Sequence, residues 1–186
     1  MSRTDPTDTI DLLILGLGNV LCGDDGLGCA AVSLLRRAYE IPEDVRVLDG
    51  GTLGLTLLPY LEDARKAILV DAIRDEAPAG SLVRLEGDDV APAVAARLSV
   101  HQVGVLDLLE AARWRERYPS RLVLLGLVPQ SLELGVVRTP AVEAALAGLV
   151  DRIVAEAGEL GHAYVPRTDD ETAARGPDDL AHAYGL

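Results

Sequence analysis

The 186 residues contain no phenylalanine, one tryptophan and five tyrosines. A core with so few rings must be filled by aliphatic side chains, which suits helices packed on a sheet. Two cysteines, Cys22 and Cys29, are too few for a disulfide scaffold or a four-cysteine zinc site, and they read as reduced thiols. Positive charge is scarce: 17 Lys and Arg face 30 Asp and Glu, for a net charge of -13. Nucleic-acid phosphates and anionic lipid surfaces repel such a chain. No apolar run reaches membrane-spanning length, and Met1 to Asp11 lacks a basic segment followed by an apolar one. These absences lead us to expect a soluble cytoplasmic protein with neither nucleic acid nor membrane as partner.

Among what is present, the stretch from Leu12 to Gly28 dominates. An apolar strand-like run ends in Gly16 and Gly18, a loop carries Asp24 and Asp25, and an amphipathic helix pattern follows to about Tyr39. Asp24 or Asp25 is placed to cap that helix. Val45–Leu48 forms a second strand ending in Asp49-Gly50-Gly51-Thr52, and a leucine-rich helix spans Gly54 to Asp63. Ala67–Val70 is a third strand ending in Asp71. This alternation predicts a parallel sheet with helices on both faces. The run Ser81–Leu85 follows too closely for a helical crossover, so it is placed antiparallel at an edge. A small helical patch after Pro92, a helix from Ser99-Val100-His101-Gln102 to Tyr118, and a strand at Arg121–Leu127 come next. Thr139-Pro140 has the cap-then-proline start of a final helix to about Leu160. We expect a flexible segment over residues 1–10, one domain over 11–165 and a disordered acidic tail over 166–186.

Ligands of open parallel sheets bind beyond the carboxyl ends of the strands. Acids stand at three such ends: Asp24/Asp25, Asp49 and Asp71, and His101 opens a helix that can join them. Each has a plainer reading as a helix cap, a turn residue or a solvated side chain, but capping does not require all of them to share one edge. Two carboxylates and an imidazole suit a borderline divalent ion such as nickel or zinc, with a position left for water or substrate. The same set would also serve to recognise a metal that the substrate carries, and the sequence leaves both uses open.

Two rival chemistries fit less well. A dinucleotide loop needs a third glycine where Leu21 stands, and Asp24 and Asp25 would repel a pyrophosphate at the helix start. Asp49 also lies about thirty residues past the glycines, against the usual twenty or so. A thiol hydrolase would use Cys22 with His101, but no further residue marks Cys22 as activated.

Five motifs in order resemble the maturation endopeptidases of the nickel–iron hydrogenases. They are Gly16-Leu-Gly18-Asn19 with Asp24-Asp25-Gly26-Leu-Gly28, Leu48-Asp49-Gly50-Gly51-Thr52, Val70-Asp71-Ala72, His101-Gln102-Val103-Gly104, and Pro129-Gln-Ser-Leu-Glu133. The resemblance covers roughly residues 11–165. It implies a three-layer α/β/α sandwich with about five strands, mostly parallel, and one antiparallel edge strand. It also implies an endopeptidase that trims the C-terminal extension of a hydrogenase large-subunit precursor, with substrate-bound nickel as the recognition signal. Asp25, Asp71 and His101 match the family's metal-contacting positions, many members carrying Glu where Asp25 stands. Asp49 is a candidate for orienting the substrate peptide or assisting proton transfer. The alternative that keeps the same ligands is a non-catalytic nickel-binding maturation chaperone.

Overall fold

The computed structural model describes residues 10–95 and 100–168, the side chains of 100–103 excepted. The expected N-terminal segment and acidic tail therefore lie outside the described residues, apart from Ile10 and the stretch up to Thr168.

Strand β1 (Ile10–Leu17) is buried along almost its whole length, as an unbroken apolar run requires when both faces of a parallel sheet are covered. Its side chains alternate between two cores. Leu12 and Ile14 join one cluster, while Leu13, Leu15 and Leu17 join the other. Helix α1 (Leu27–Ala38) buries Leu27, Ala31, Val32 and Leu35, a helical spacing that lays one stripe on the first face.

A short strand β2 (Tyr39–Glu40) leads to β3 (Val45–Gly51), then a 3₁₀ turn at Gly54–Leu57 and helix α2 (Leu58–Asp63). Strands β4 (Ala64–Ala72) and β5 (Leu82–Glu86) follow, with α3 (Val90–Ala95) and α4 (Val100–Trp114) behind them. Strand β6 (Arg121–Leu127), helix α5 (Pro140–Glu159) and a short β7 (Val165–Pro166) are the last elements among the described residues. Sequence patterning places all the longer elements. It ends β3 too early and misses the β2–β7 pair, and it reads one continuous helix where the 3₁₀ turn precedes α2.

The main sheet has the order β3-β1-β4-β6-β5. All its pairs are parallel except β5 with β6, so β5 is the antiparallel edge. Helices α1 and α5 cover one face, and α2, α3 and α4 cover the other, which gives the expected three layers. From β1 the chain passes over one face to β3, then returns over the opposite face to β4 on β1's other side. The crevice beyond the carboxyl ends of β1 and β4 is thus a topological switch point, the usual ligand position of such sheets. Among the described residues no helix is long and apolar enough to cross a membrane.

Candidate active site

The site forms where β1, β3 and β4 end side by side, with Gly16 in register with Asp49 on one neighbour and with Val70 on the other. Gly18 is its hub. It sits at φ +117°, a conformation L side chains rarely adopt, and its N–H donates to the Gly51 carbonyl at 3.0 Å. A β-carbon there would stand 1.8 Å from the Asp25 carbonyl oxygen and 3.6 Å from Asp71 Oδ1. One glycine turn therefore lies against the acid loop after β1, the end of β4 and the Gly-Gly end of β3.

Neighbouring acids in the first loop have different tasks. Asp24 is fully buried and its carboxylate is saturated. Oδ2 accepts from the Gln130 and Ser131 N–H groups at 2.8 and 3.1 Å and from the Thr139 hydroxyl at 2.8 Å. Oδ1 accepts from the Thr139 N–H at 2.7 Å. Burial opposes the charge, but these four donors outweigh it and hold the carboxyl below its ordinary value. Asp24 is thus a staple that fastens the 129–139 loop under the acid loop.

Asp25, also buried, has one carboxylate oxygen on the Asn19 N–H at 2.8 Å. Neither acid caps α1: its N-cap is Gly26, with no side-chain capping bond. Thr139, expected as the cap of α5, likewise makes no capping bond and turns its hydroxyl to Asp24.

Asp71 is buried at the end of β4, with Oδ1 accepting from the Ala72 N–H at 2.7 Å. Asp49 closes its own turn, Oδ1 accepting from the Gly51 N–H at 3.1 Å. The plain turn-residue reading of Asp49 is therefore also true, and it places the carboxylate at the site's edge. His101 lies in the first turn of α4, and its side chain falls outside the described residues. The backbone nevertheless shows how this helix start is placed. Gly104, one turn on, packs on Gly54 so closely that a β-carbon at 104 would stand 3.1 Å from the Gly54 Cα. Gly54 follows the Asp49 turn, so α4 begins at the edge where the acids gather.

Sequence reasoning missed Cys29. Its thiol lies 3.5 Å from the Gly18 carbonyl oxygen and beside the Asp49 and Asp71 carboxylates. Burial, then the charge and hydrogen bond of Asp49, push its ionisation well up, so it stays a neutral thiol. The available signal was position, two residues into the helix behind the acid loop. Cys22, the thiol-hydrolase candidate, is half-buried and bridges to Gly135.

The segments that carry Asp25, Asp49 and Asp71 thus meet around the Gly18 turn. Among the described residues, no group of three His, Cys, Asp or Glu side chains is set to hold a metal.

Comparison with known proteins places the chain in a family. Residues 29–156 match the hydrogenase maturation protease family. The hydrogenase 2 maturation protease of Escherichia coli is 35% identical over 158 residues, covering 84% of this chain and 96% of the relative. The hydrogenase expression/formation protein HupD of Rhodobacter capsulatus is 41% identical over 148 residues, covering 78% and 69%. The solved structure of the hydrogenase maturating endopeptidase HybD from E. coli superposes with a TM-score of 0.82 at 34% identity, covering 86% of this chain and 99% of that one. On this similarity in sequence and fold, the chain belongs to the hydrogenase maturation proteases and is an endopeptidase.

Proposed function

We propose that this endopeptidase removes the C-terminal extension of a nickel–iron hydrogenase large-subunit precursor after nickel insertion, with nickel on the substrate as the recognition signal. The observation that supports this reading is the Gly18 turn, which lies against the Asp25 backbone in the loop after β1 and against the Asp71 carboxylate at the end of β4. In this reading Asp25, Asp71 and His101 complete the coordination of the nickel that the precursor brings. Such an ion polarises a carbonyl or acidifies a bound water.

The chain's own residues supply position. Backbone N–H groups of Asn19 and Ala72 each hold one oxygen of Asp25 and Asp71, which fixes the direction of the carboxylates. Asp49 orients the substrate backbone, which the Gly50-Gly51 turn lets approach closely, or takes a proton as general base. A maturation chaperone with the same donors would bind nickel and leave the precursor whole; membership in a protease family favours cleavage. Cytoplasmic action on a soluble precursor is part of the same proposal.

Intact-mass spectrometry of the precursor before and after incubation tests the reading. Nickel-loaded precursor is shortened and nickel-free precursor is not. Asp25→Asn, Asp71→Asn and His101→Ala each slow cleavage by at least about 100-fold while the fold is retained. Efficient cleavage of nickel-free precursor overturns the signal role. Normal processing by all three variants overturns the site.

A further inference from the structure

Beside the acids the molecule exposes a ledge of apolar side chains that catalysis does not use. Val20 and Leu21 project from the acid loop, and Leu132, Leu134, Val136 and Val137 from the loop after β6. Their exposures run from 42% for Leu132 to 88% for Leu134. The two loops are one structure. Gly135 donates its N–H to the Leu21 carbonyl at 2.9 Å and accepts from the Gly23 N–H at 2.7 Å. The Asp24 carboxylate ties both ends of the second loop from beneath. The ledge is therefore held rigidly against the segment that carries Asp25.

In a chain of net charge -13, this surface is nearly neutral. Asp24 and Asp25 are buried beneath it, and Arg138 is paired with Glu143 at 2.8 Å, which leaves Glu133 as its one charge without an ion pair among the described residues. Contiguous exposed aliphatic groups of this kind mark protein–protein contact.

We infer that the Val20–Leu21 and Leu132–Val137 ledge is the docking surface for an apolar patch on the folded body of the precursor, next to the extension to be cut. This assignment rests on the reading of the chain as a processing protease. Its partner follows from continuity, because the ledge is built on the same loop as Asp25 and adjoins the site where that protein's chain is cut. Apolar burial then supplies affinity, while the acids read the metal.

The test is steady-state cleavage of nickel-loaded precursor by the full chain and by the double variant Leu134→Ser, Val137→Ser, both at strongly exposed positions. The variant is expected to raise KM about tenfold or more, with kcat within about twofold and a melting temperature within about 2 °C of the parent. Trp114→Ala, 87% exposed at the far end of α4, leaves KM unchanged. If the parent cleaves and the double variant keeps the parent KM, the ledge assignment is overturned and the processing reading stands. A parent that leaves loaded precursor whole overturns both. A parent that sediments as a dimer, dissociated by Leu134→Ser with KM unmoved, assigns the ledge to a second copy and overturns the proposal.

Discussion

Asp24→Asn and Asp25→Asn make the same chemical change at adjacent residues and should produce opposite phenotypes. The Asp24 carboxylate receives four donors, three from backbone N–H groups and one from the Thr139 hydroxyl. Whichever oxygen becomes the amide nitrogen, at least one buried N–H then faces another donor. Hydrogen bonds to a charged acceptor contribute about 1.5–3 kcal/mol each and neutral ones about 1 kcal/mol, while an orphaned buried donor costs about 1–3 kcal/mol. Allowing for relaxation of the loop, the loss for Asp24→Asn is about 3 kcal/mol. In a domain of this size that lowers the melting temperature by about 6–12 °C. Asp25 takes one backbone donor, so Asp25→Asn loses about 1 kcal/mol and about 2–4 °C while cleavage disappears. Calorimetry of the three proteins at neutral pH, with the cleavage assay on the same samples, reads both effects. The pH dependence has a defined sign. The folded carboxyl of Asp24 titrates below its ordinary 3.8, so its contribution is complete above that value and fades as the pH falls further. The gap between parent and Asp24→Asn therefore narrows in acid. An Asp24→Asn protein melting within about 2 °C of the parent refutes the staple, as does an Asp25→Asn protein that loses more stability than Asp24→Asn.

The other expectations are shorter. Gly18→Ala places a methyl 1.8 Å from the Asp25 carbonyl oxygen at a left-handed φ, and should lose about 3 kcal/mol or more together with cleavage; parent-like melting and turnover would contradict the hub role. Alkylation with iodoacetamide followed by intact mass should label half-buried Cys22 first and leave Cys29 untouched until the chain unfolds, and Cys22→Ser should cleave normally. At the other side of the sheet, the buried Glu156 carboxylate binds Arg84 through Nε at 2.7 Å and a terminal nitrogen at 2.8 Å, with Arg152 also against it. Arg84 is partly exposed, so Arg84→Met should cost about 2 kcal/mol in urea unfolding at neutral pH. Arg84 holds Glu156 below its ordinary 4.5, so the difference shrinks as the pH falls through that region, and a constant gap down to pH 3 would refute the pairing.

How much of this is legible without coordinates depends on how local the causes are. Strands covered on both faces read as unbroken apolar runs, so β1, β4 and β6 stand out, Arg121–Leu127 to the residue. The short link from Asp71 to the β5 run excludes a helical crossover, and that identifies the antiparallel edge. That Asp49, Asp71 and the Asp25 loop share one edge follows from topology alone, since β3, β1 and β4 are adjacent and parallel. The task of Asp24 does not, because its donors lie 106 to 115 residues further along the chain. Thr139-Pro140 carries the local signature of a helix cap, yet the same hydroxyl serves that distant carboxylate. Strands β2 and β7 are two residues each, too short for any periodicity to show. Cys29 reads as an ordinary core thiol until the Gly-Gly turn of β3 is folded against it.

The contact of Gly54 with Gly104 has a mechanical consequence. Two backbones touch there with no side chain between them, so no rotamer can take up slack. The spacing between the Asp49 turn and the start of α4 is therefore a hard stop, and repacking nearby side chains cannot adjust it. Force applied to the Asp49 turn, as by a peptide seated on it, passes to the helix whose first turn contains His101 without being absorbed on the way.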